Sequence, residues 1–280
     1  DFPNFGVENS GHAAGGTMSA VAKPASFVTV ARVIAWRNLH NFITNPALAI
    51  PALMFPLFFF AAFAGGLSGV SHVPGFNYAG NYTAFQFSFV VLQASAFNGV
   101  FSGFGMARDF EIGFGRRLML ATPNRSAIIA GYAISSMARA TFIGVMLFAI
   151  GAAAGMGFQG GFVGLIGLIA LALGLNVASS FWASGVALRF RSLQAGPLMQ
   201  VPVFMVLFLT PVYVPYELLS GWVHVVAGVN PVTLVLQTTR GFVAGVPEYI
   251  AYAFAAVVGL MAVFLVWALT GMRRAEEAGG

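Results

Sequence analysis

The chain has 280 residues, 59% of them apolar and 8% charged, against roughly 45–50% and about 25% in soluble domains. With 13 basic and 8 acidic side chains to distribute, its helices cannot each be given a wet face, so the solvent is lipid and a soluble globular fold is excluded. The net charge of +5 comes from basic residues set between apolar stretches, which reports membrane orientation rather than a nucleic-acid surface; the absence of cysteine excludes disulfides, a thiolate nucleophile and a Cys-ligated metal.

Residues 1–22 are rich in Gly, Ala, Ser and Asn and lack the charged-then-apolar layout of a signal peptide. They read as a disordered or vector-derived segment, with Met18 as a native start. Over 23–46, Phe27, Ala31, Ala35, Leu39 and Phe42 recur at helical spacing, with Arg37, His40 and Asn41 opposite. That pattern predicts an interfacial amphipathic helix, or else a cap on the bundle.

A membrane-spanning helix needs roughly 20 apolar residues. Six uncharged windows of that size occur, approximately 47–66, 84–107, 140–157, 162–188, 197–214 and 249–272. The expected fold class is all-α integral membrane with six transmembrane helices. Lys and Arg of short loops stay cytoplasmic. With the N-terminus inside, Lys23, Arg32, Arg37, Arg108, Arg116, Arg117, Arg125, Arg189, Arg191, Arg273 and Arg274 fall on that side and Arg240 falls outside. Arg139 is expected at the inner edge of the third span, within snorkelling reach of the interface. The stretch 216–244 is interrupted by Glu217, His224, Pro231 and Arg240. It reads as two short helices in an outward hairpin around Asn230 and Pro231, with Tyr213, Tyr216 and Trp222 at headgroup depth. Pro51 and Pro56 should bend span one, and Pro197, Pro202 and Pro211 span five. The pairs Gly151–Gly155 and Gly160–Gly164, with Asn176, Ser180 and Ser184, are expected to serve helix packing.

The most informative segment is the elbow after span two, where Arg108, Asp109, Phe110, Glu111, Gly113, Phe114, Arg116, Arg117 and Leu118 are followed by Thr122, Pro123 and Arg125. Thr122 before Pro123 predicts an N-cap and first residue of a helix leading into span three. The part before it reads as a short charged helix whose Phe110, Phe114 and Leu118 suit a groove on a soluble partner. The plain alternative is an ordinary positive-inside loop.

This order of parts resembles the permease subunit of type-2 ABC exporters, particularly the daunorubicin-resistance-like drug-export branch. The likeness covers about 27–274. It rests on the helix before span one and on the elbow residues Asp109, Glu111, Gly113, Arg117, Leu118, Thr122 and Pro123. Further matches are Arg139 at the base of span three and the outer hairpin with Asn230, Pro231 and Arg240. The family usually has Glu where this chain has Asp109, and the shorter carboxylate still accepts an arginine hydrogen bond. The resemblance implies that Arg108 to Pro123 is a coupling helix docking on a separate ATPase. Two ATPase copies and a second permease copy or paralogue would complete the transporter in membrane lipid. ATP and Mg would then be held by the ATPase, with no cofactor, metal or nucleic acid on this chain.

No Gly-rich Lys-Ser/Thr phosphate loop, His-Glu-x-x-His or Gly-x-Ser-x-Gly occurs, and the four histidines are scattered, so no catalysis is expected here. The six windows hold no Asp or Glu, which argues against proton- or sodium-coupled transport. In span two Gln86, Phe89, Gln93, Phe97 and Phe104 share a helix face, and span five offers Met199, Gln200, Phe204 and Phe208. Such a surface suits a large apolar molecule with few polar groups; rings facing lipid, with glutamines bonded across helices, fit the same pattern. The expected organisation is a segment 1–22, a helix over 23–46, a permease domain over 47–274 and a cytoplasmic tail 275–280. The expected function is export of a hydrophobic or amphiphilic compound across the bacterial plasma membrane, with both termini cytoplasmic. Export of a polysaccharide or lipid-linked glycan, and a non-ABC scaffold or carrier, are the alternatives.

Overall fold

The computed structural model describes residues 26–122 and 124–277, and every regular element among them is helical. Helix α1 (Phe27–Thr44) begins at Ser26, whose hydroxyl accepts from the Thr29 amide. It leads into α2 (Pro46–Phe60) and a π-helical stretch, Ala61–Gly65. There follow α3 (Tyr82–Glu111), α4 (Phe114–Ala121), α5 (Ser126–Ala153), α6 (Gly161–Phe190), α7 (Gly196–Phe208), α8 (Gly221–Val229), α9 (Pro231–Ala244) and α10 (Ile250–Glu277). The expected segment 1–22, Lys23, Pro123 and the last three residues of the tail lie outside the described residues.

Helices α3, α5, α6 and α10 are long and apolar enough to cross a bilayer; α1 and α2, bent by 73° at their junction, make a fifth crossing if taken together. The window expected to form a fifth span departs furthest from expectation. Helix α7 has 13 residues, about 20 Å of helix. It carries Pro202 inside and stops at Leu209, two residues before Pro211. The third helix begins at Ser126 rather than near 140, because the small and apolar residues from Ala127 to Ala133 continue it without a breaker. Arg139 consequently lies midway along α5 instead of at an edge. There its Nη2 donates to the Asn98 carbonyl (3.5 Å) and its guanidinium faces the Phe42 ring at 5.5 Å.

Helix α3 is the axis of the bundle, buried almost continuously from Tyr82 to Val100 and packed against α2, α5, α6, α7 and α9. Lipid provides no hydrophobic drive between helices, so contact depends on small residues and interhelical hydrogen bonds. Both are present where α3 meets α6. A Cβ at Gly99 would collide with the Asn176 carbonyl, and one at Gly103 with Ala183. A polar seam runs alongside: the Ser102 and Ser180 hydroxyls are 2.7 Å apart, Asn176 Nδ2 donates to the Ser95 carbonyl at 2.7 Å, and Ser136 Oγ donates to Asn176 Oδ1 at 2.8 Å. This matches the packing role expected of Asn176 and Ser180. Gly160 and Gly164 lie on the Phe242 carbonyl of α9, and Gly151 touches Phe87 and Met156. Gly155 has no such role: its left-handed backbone (φ 80) turns the chain after α5, with open space around it.

On α1, Ala31, Ala35 and Phe42 are buried as expected, and the helix packs along α5. Phe27, expected on the same face, is exposed together with Val28, Val33, Trp36 and Ile43, and Arg37, expected on the opposite side, points inward.

Replacing Gly99 by Val should lower the thermal midpoint, at a cost of about 1–3 kcal/mol or more for overpacking. Gly144, which has open space around it, should accept Val with little change when both variants are melted in the same detergent.

Candidate functional site

The elbow forms because α3 ends where Gly113 takes a left-handed conformation (φ 76), a region open to a residue without Cβ. The chain turns there and continues as α4. Three sets of bonds tie this turn to the rest of the bundle. Asp109, 7% exposed, accepts from Arg37 Nη2 of α1 and from the Tyr132 hydroxyl of α5. The Arg37 guanidinium also lies 4.0 Å over the Phe114 ring. Glu111 Oε1 accepts from Ser192 Oγ at 2.8 Å and the Leu193 amide at 2.7 Å, in the connection between α6 and α7. Arg125 donates from Nε to the Met119 carbonyl at 3.1 Å and pairs through Nη1 with Glu276 of α10, also at 3.1 Å. Nearby, Arg191 Nη2 donates to the Ala275 carbonyl at 2.7 Å and joins the end of α6 to α10.

The outward surface of the elbow differs from the sequence reading. Phe110 is turned into the bundle, and Phe114 and Leu118 are half-buried. The apolar residues presented outward are Ile112 and Leu120, 61% and 78% exposed, beside the exposed Arg108, Arg116 and Arg117. Within α4 the four-residue step from Arg116 to Leu120 is the signal from which part of this face could have been found. Thr122 does not cap the following helix. It ends α4 in an extended conformation, and α5 begins only at Ser126, after the Asn124 and Arg125 carbonyls have accepted from Ala127 and Ile128.

In the interior, Gln86, Phe89, Gln93 and Phe97 share a face of α3 and are all at most 2% exposed, so they do not face lipid. The proline-containing helices α2 and α7 cover them with aromatic rings. Phe55 meets Phe97 at 5.4 Å, Phe208 meets Phe89 at 5.3 Å, and Phe204 stacks on Phe97 at 6.1 Å and on Phe208 at 4.2 Å. Gln86 Nε2 is bonded, to the Tyr82 hydroxyl (2.7 Å) and the Val212 carbonyl (3.2 Å). Gln93 is enclosed with neither amide atom hydrogen-bonded among the described residues, although a buried unmet amide group costs about 1–3 kcal/mol. Gln200 lines a recess of about 520 Å³ with Phe104, Pro197 and Phe204, towards the elbow, and Phe204 stacked on Phe97 connects it with this face. Met199 is fully buried, its carbonyl accepting from Trp182 Nε1 at 3.1 Å.

At the opposite end the expected hairpin is α8 and α9. Asn230 Oδ1 accepts from the Val232 amide at 3.0 Å, and Pro231 occupies the first helical turn. Asn230 Nδ2 reaches back to the Val206 carbonyl of α7 at 2.7 Å. Arg240, 4% exposed, donates to the carbonyls of Pro211 (2.7 Å), Val212 (2.9 Å) and Phe85 (3.4 Å), with its guanidinium 3.4 Å over the Phe85 ring. Burial pulls that guanidinium down to about 9, so it remains a cation at neutral pH. Burial pushes the neighbouring Tyr78 phenol up to about 12, and its hydroxyl donates to the Arg240 carbonyl at 3.2 Å.

Comparison with known proteins gives two findings. The family model described as ABC-2 type transporter matches residues 29–243. The daunorubicin resistance ABC transporter permease protein DrrB1 of Streptomyces coeruleorubidus is 24% identical over 253 residues, which cover 88% of each chain.

The Arg37, Asp109 and Tyr132 node can be apportioned by double-mutant cycle. Arg37→Met and Asp109→Asn should each destabilise the protein, and the pair should show about 0.5–3 kcal/mol of coupling when melted in detergent; additive losses would mean the contact contributes nothing.

Proposed function

Because the chain belongs to the ABC-2 type transporter family, we propose that it is the membrane half of an ATP-driven exporter for a hydrophobic or amphiphilic, drug-like compound. The chain is a type-2 ABC permease, an integral membrane protein similar to a drug-resistance permease. The finer reading is carried by one observation: the elbow presents Arg108, Arg116, Arg117, Ile112 and Leu120 outward while being bonded inward to α1, α5, α10 and the α6–α7 connection. A surface of charges around two apolar side chains suits a groove on a soluble protein. Motion imposed there would be passed to several helices at once.

In this reading two copies of an ABC ATPase, carrying ATP and Mg, dock one to each elbow of a permease pair. The basic end faces the cytoplasm, with both termini, and the α8–α9 hairpin faces outward. Six crossings follow if α2 with its π-helical stretch makes the first, and α7 with the irregular chain after it makes the fifth. The compound passes along the aromatic face of α3 that holds Gln86, Phe89, Gln93 and Phe97. The helices α2 and α7 that cover this face contain Pro51, Pro56 and Pro202, which weaken them as rigid rods.

Purification from the native membrane in mild detergent, followed by mass spectrometry and a vanadate-sensitive ATPase assay, should recover a stoichiometric ATPase. Arg116→Glu combined with Arg117→Glu should leave membrane insertion intact, given the other basic residues at that end, and reduce ATPase recovery about tenfold or more; undiminished recovery would refute the docking role. Gln93→Leu removes an unmet buried amide, so the substrate-free protein should melt no lower than the parent and about 1 kcal/mol higher in favourable repacking. Its efflux preference among compounds should change. A lower melting point with unchanged preference would make Gln93 a structural residue.

A further inference from the structure

A recess at the end opposite the elbow takes no part in the reading above. It encloses about 490 Å³, within the range of sites for drug-sized molecules. Its walls come from the α2–α3 connection (Tyr78), the chain after α7 (Tyr216, Glu217), α9 (Thr233, Arg240) and the α9–α10 connection (Glu248, Tyr249).

Its charge balance is negative. Glu217 and Glu248 are both exposed, and neither has an ion-pair partner among the described residues. Against them stands Arg240, the one cation among the described residues of the lining, which is buried, held by the Phe85, Pro211 and Val212 carbonyls and stacked on the Phe85 ring. Three tyrosine rings stand in the same lining, and aromatic faces attract organic cations, quaternary ammonium groups in particular. Thr233 also lines the recess, 4% exposed, and its hydroxyl has no hydrogen-bond partner among the described residues. A buried hydroxyl in that condition calls for an explanation, and a molecule entering the space would supply one by bonding to it.

We propose that this recess binds an organic ammonium compound, with the cationic nitrogen drawn by Glu217 and Glu248 to the tyrosine rings and a polar group of the same molecule hydrogen-bonded to Thr233. The inference needs only the recess and does not depend on the transport reading. The ammonium group could be carried by a free compound or by the headgroup of phosphatidylethanolamine.

The test is calorimetric titration of choline, and of its uncharged isostere 3,3-dimethylbutan-1-ol, into the purified chain in a neutral maltoside detergent. Choline should bind at least about tenfold more tightly than the isostere, and Glu217→Gln with Glu248→Gln should remove about tenfold in affinity. Thr233→Val should weaken choline binding without lowering the thermal midpoint. Equal affinity for the two probes, binding of neither, or choline affinity unchanged in the carboxamide variant would overturn the proposal. Added phosphatidylethanolamine that competes with choline, where phosphatidylglycerol does not, assigns the site to a lipid headgroup. Absence of that competition assigns it to a free ammonium compound.

Discussion

Helices surrounded by lipid gain little from burying apolar side chains against each other, and this constraint governs the assembly. The backbone contact of α3 with α6 answers it. Gly99 and Gly103 allow an approach that any larger residue would block, Ser95, Ser102, Asn176 and Ser180 add hydrogen bonds across the interface, and Ser136 of α5 bonds to Asn176 beside it. Each such bond contributes only about 0.6 kcal/mol in a membrane protein, so it is the close packing over many turns that holds α3 at the centre. Once α3 is central, its two ends become the places where the remaining elements converge.

The two ends use charge in opposite ways. At the elbow, Asp109 gathers donors from α1 and α5, and Glu111 gathers donors from the α6–α7 connection. These carboxylates bind segments far apart in sequence to the C-terminal end of α3, so the turn that leads into α4 cannot shift without its neighbours responding. At the other end a single guanidinium is satisfied by carbonyls, two of which, those of Pro211 and Val212, lie in the irregular chain after α7. A buried charge of that kind is tolerated only when nearly every donor is matched. In between, Gln93 is the opposite case, a buried amide with no partner among the described residues, in a cage of phenylalanines.

Much of this was legible in the residues. Apolar windows and their breakers place α3, α6, α8, α9 and α10 closely, because lipid imposes a length and a composition that few sequences meet by accident. The boundary of α5 was not legible, since uncharged length says where a helix is apolar and not where it starts; Arg139 interrupts the window without interrupting the helix. Nor was the inward turn of Phe110 and Arg37. Both depend on Asp109 and Tyr132 being brought beside α1, which is a tertiary fact. Thr122 and Pro123 carry a strong local capping signal, yet Thr122 ends α4 instead. The buried state of Gln93 and Phe97 was similarly out of reach, because the pattern of α3 alone cannot say that α2 and α7 cover it.

The Arg240 clamp also bears on the order in which the protein is made. Its acceptors belong to α3 and to the chain leaving α7, both of which are synthesised before α9. A bare arginine is costly in hydrocarbon, so α9 reaches its final place only when those carbonyls are already waiting. The α9 helix therefore acts as a latch on parts of the bundle that precede it in the chain, and the latch closes only when α3 and the segment after α7 both stand in place.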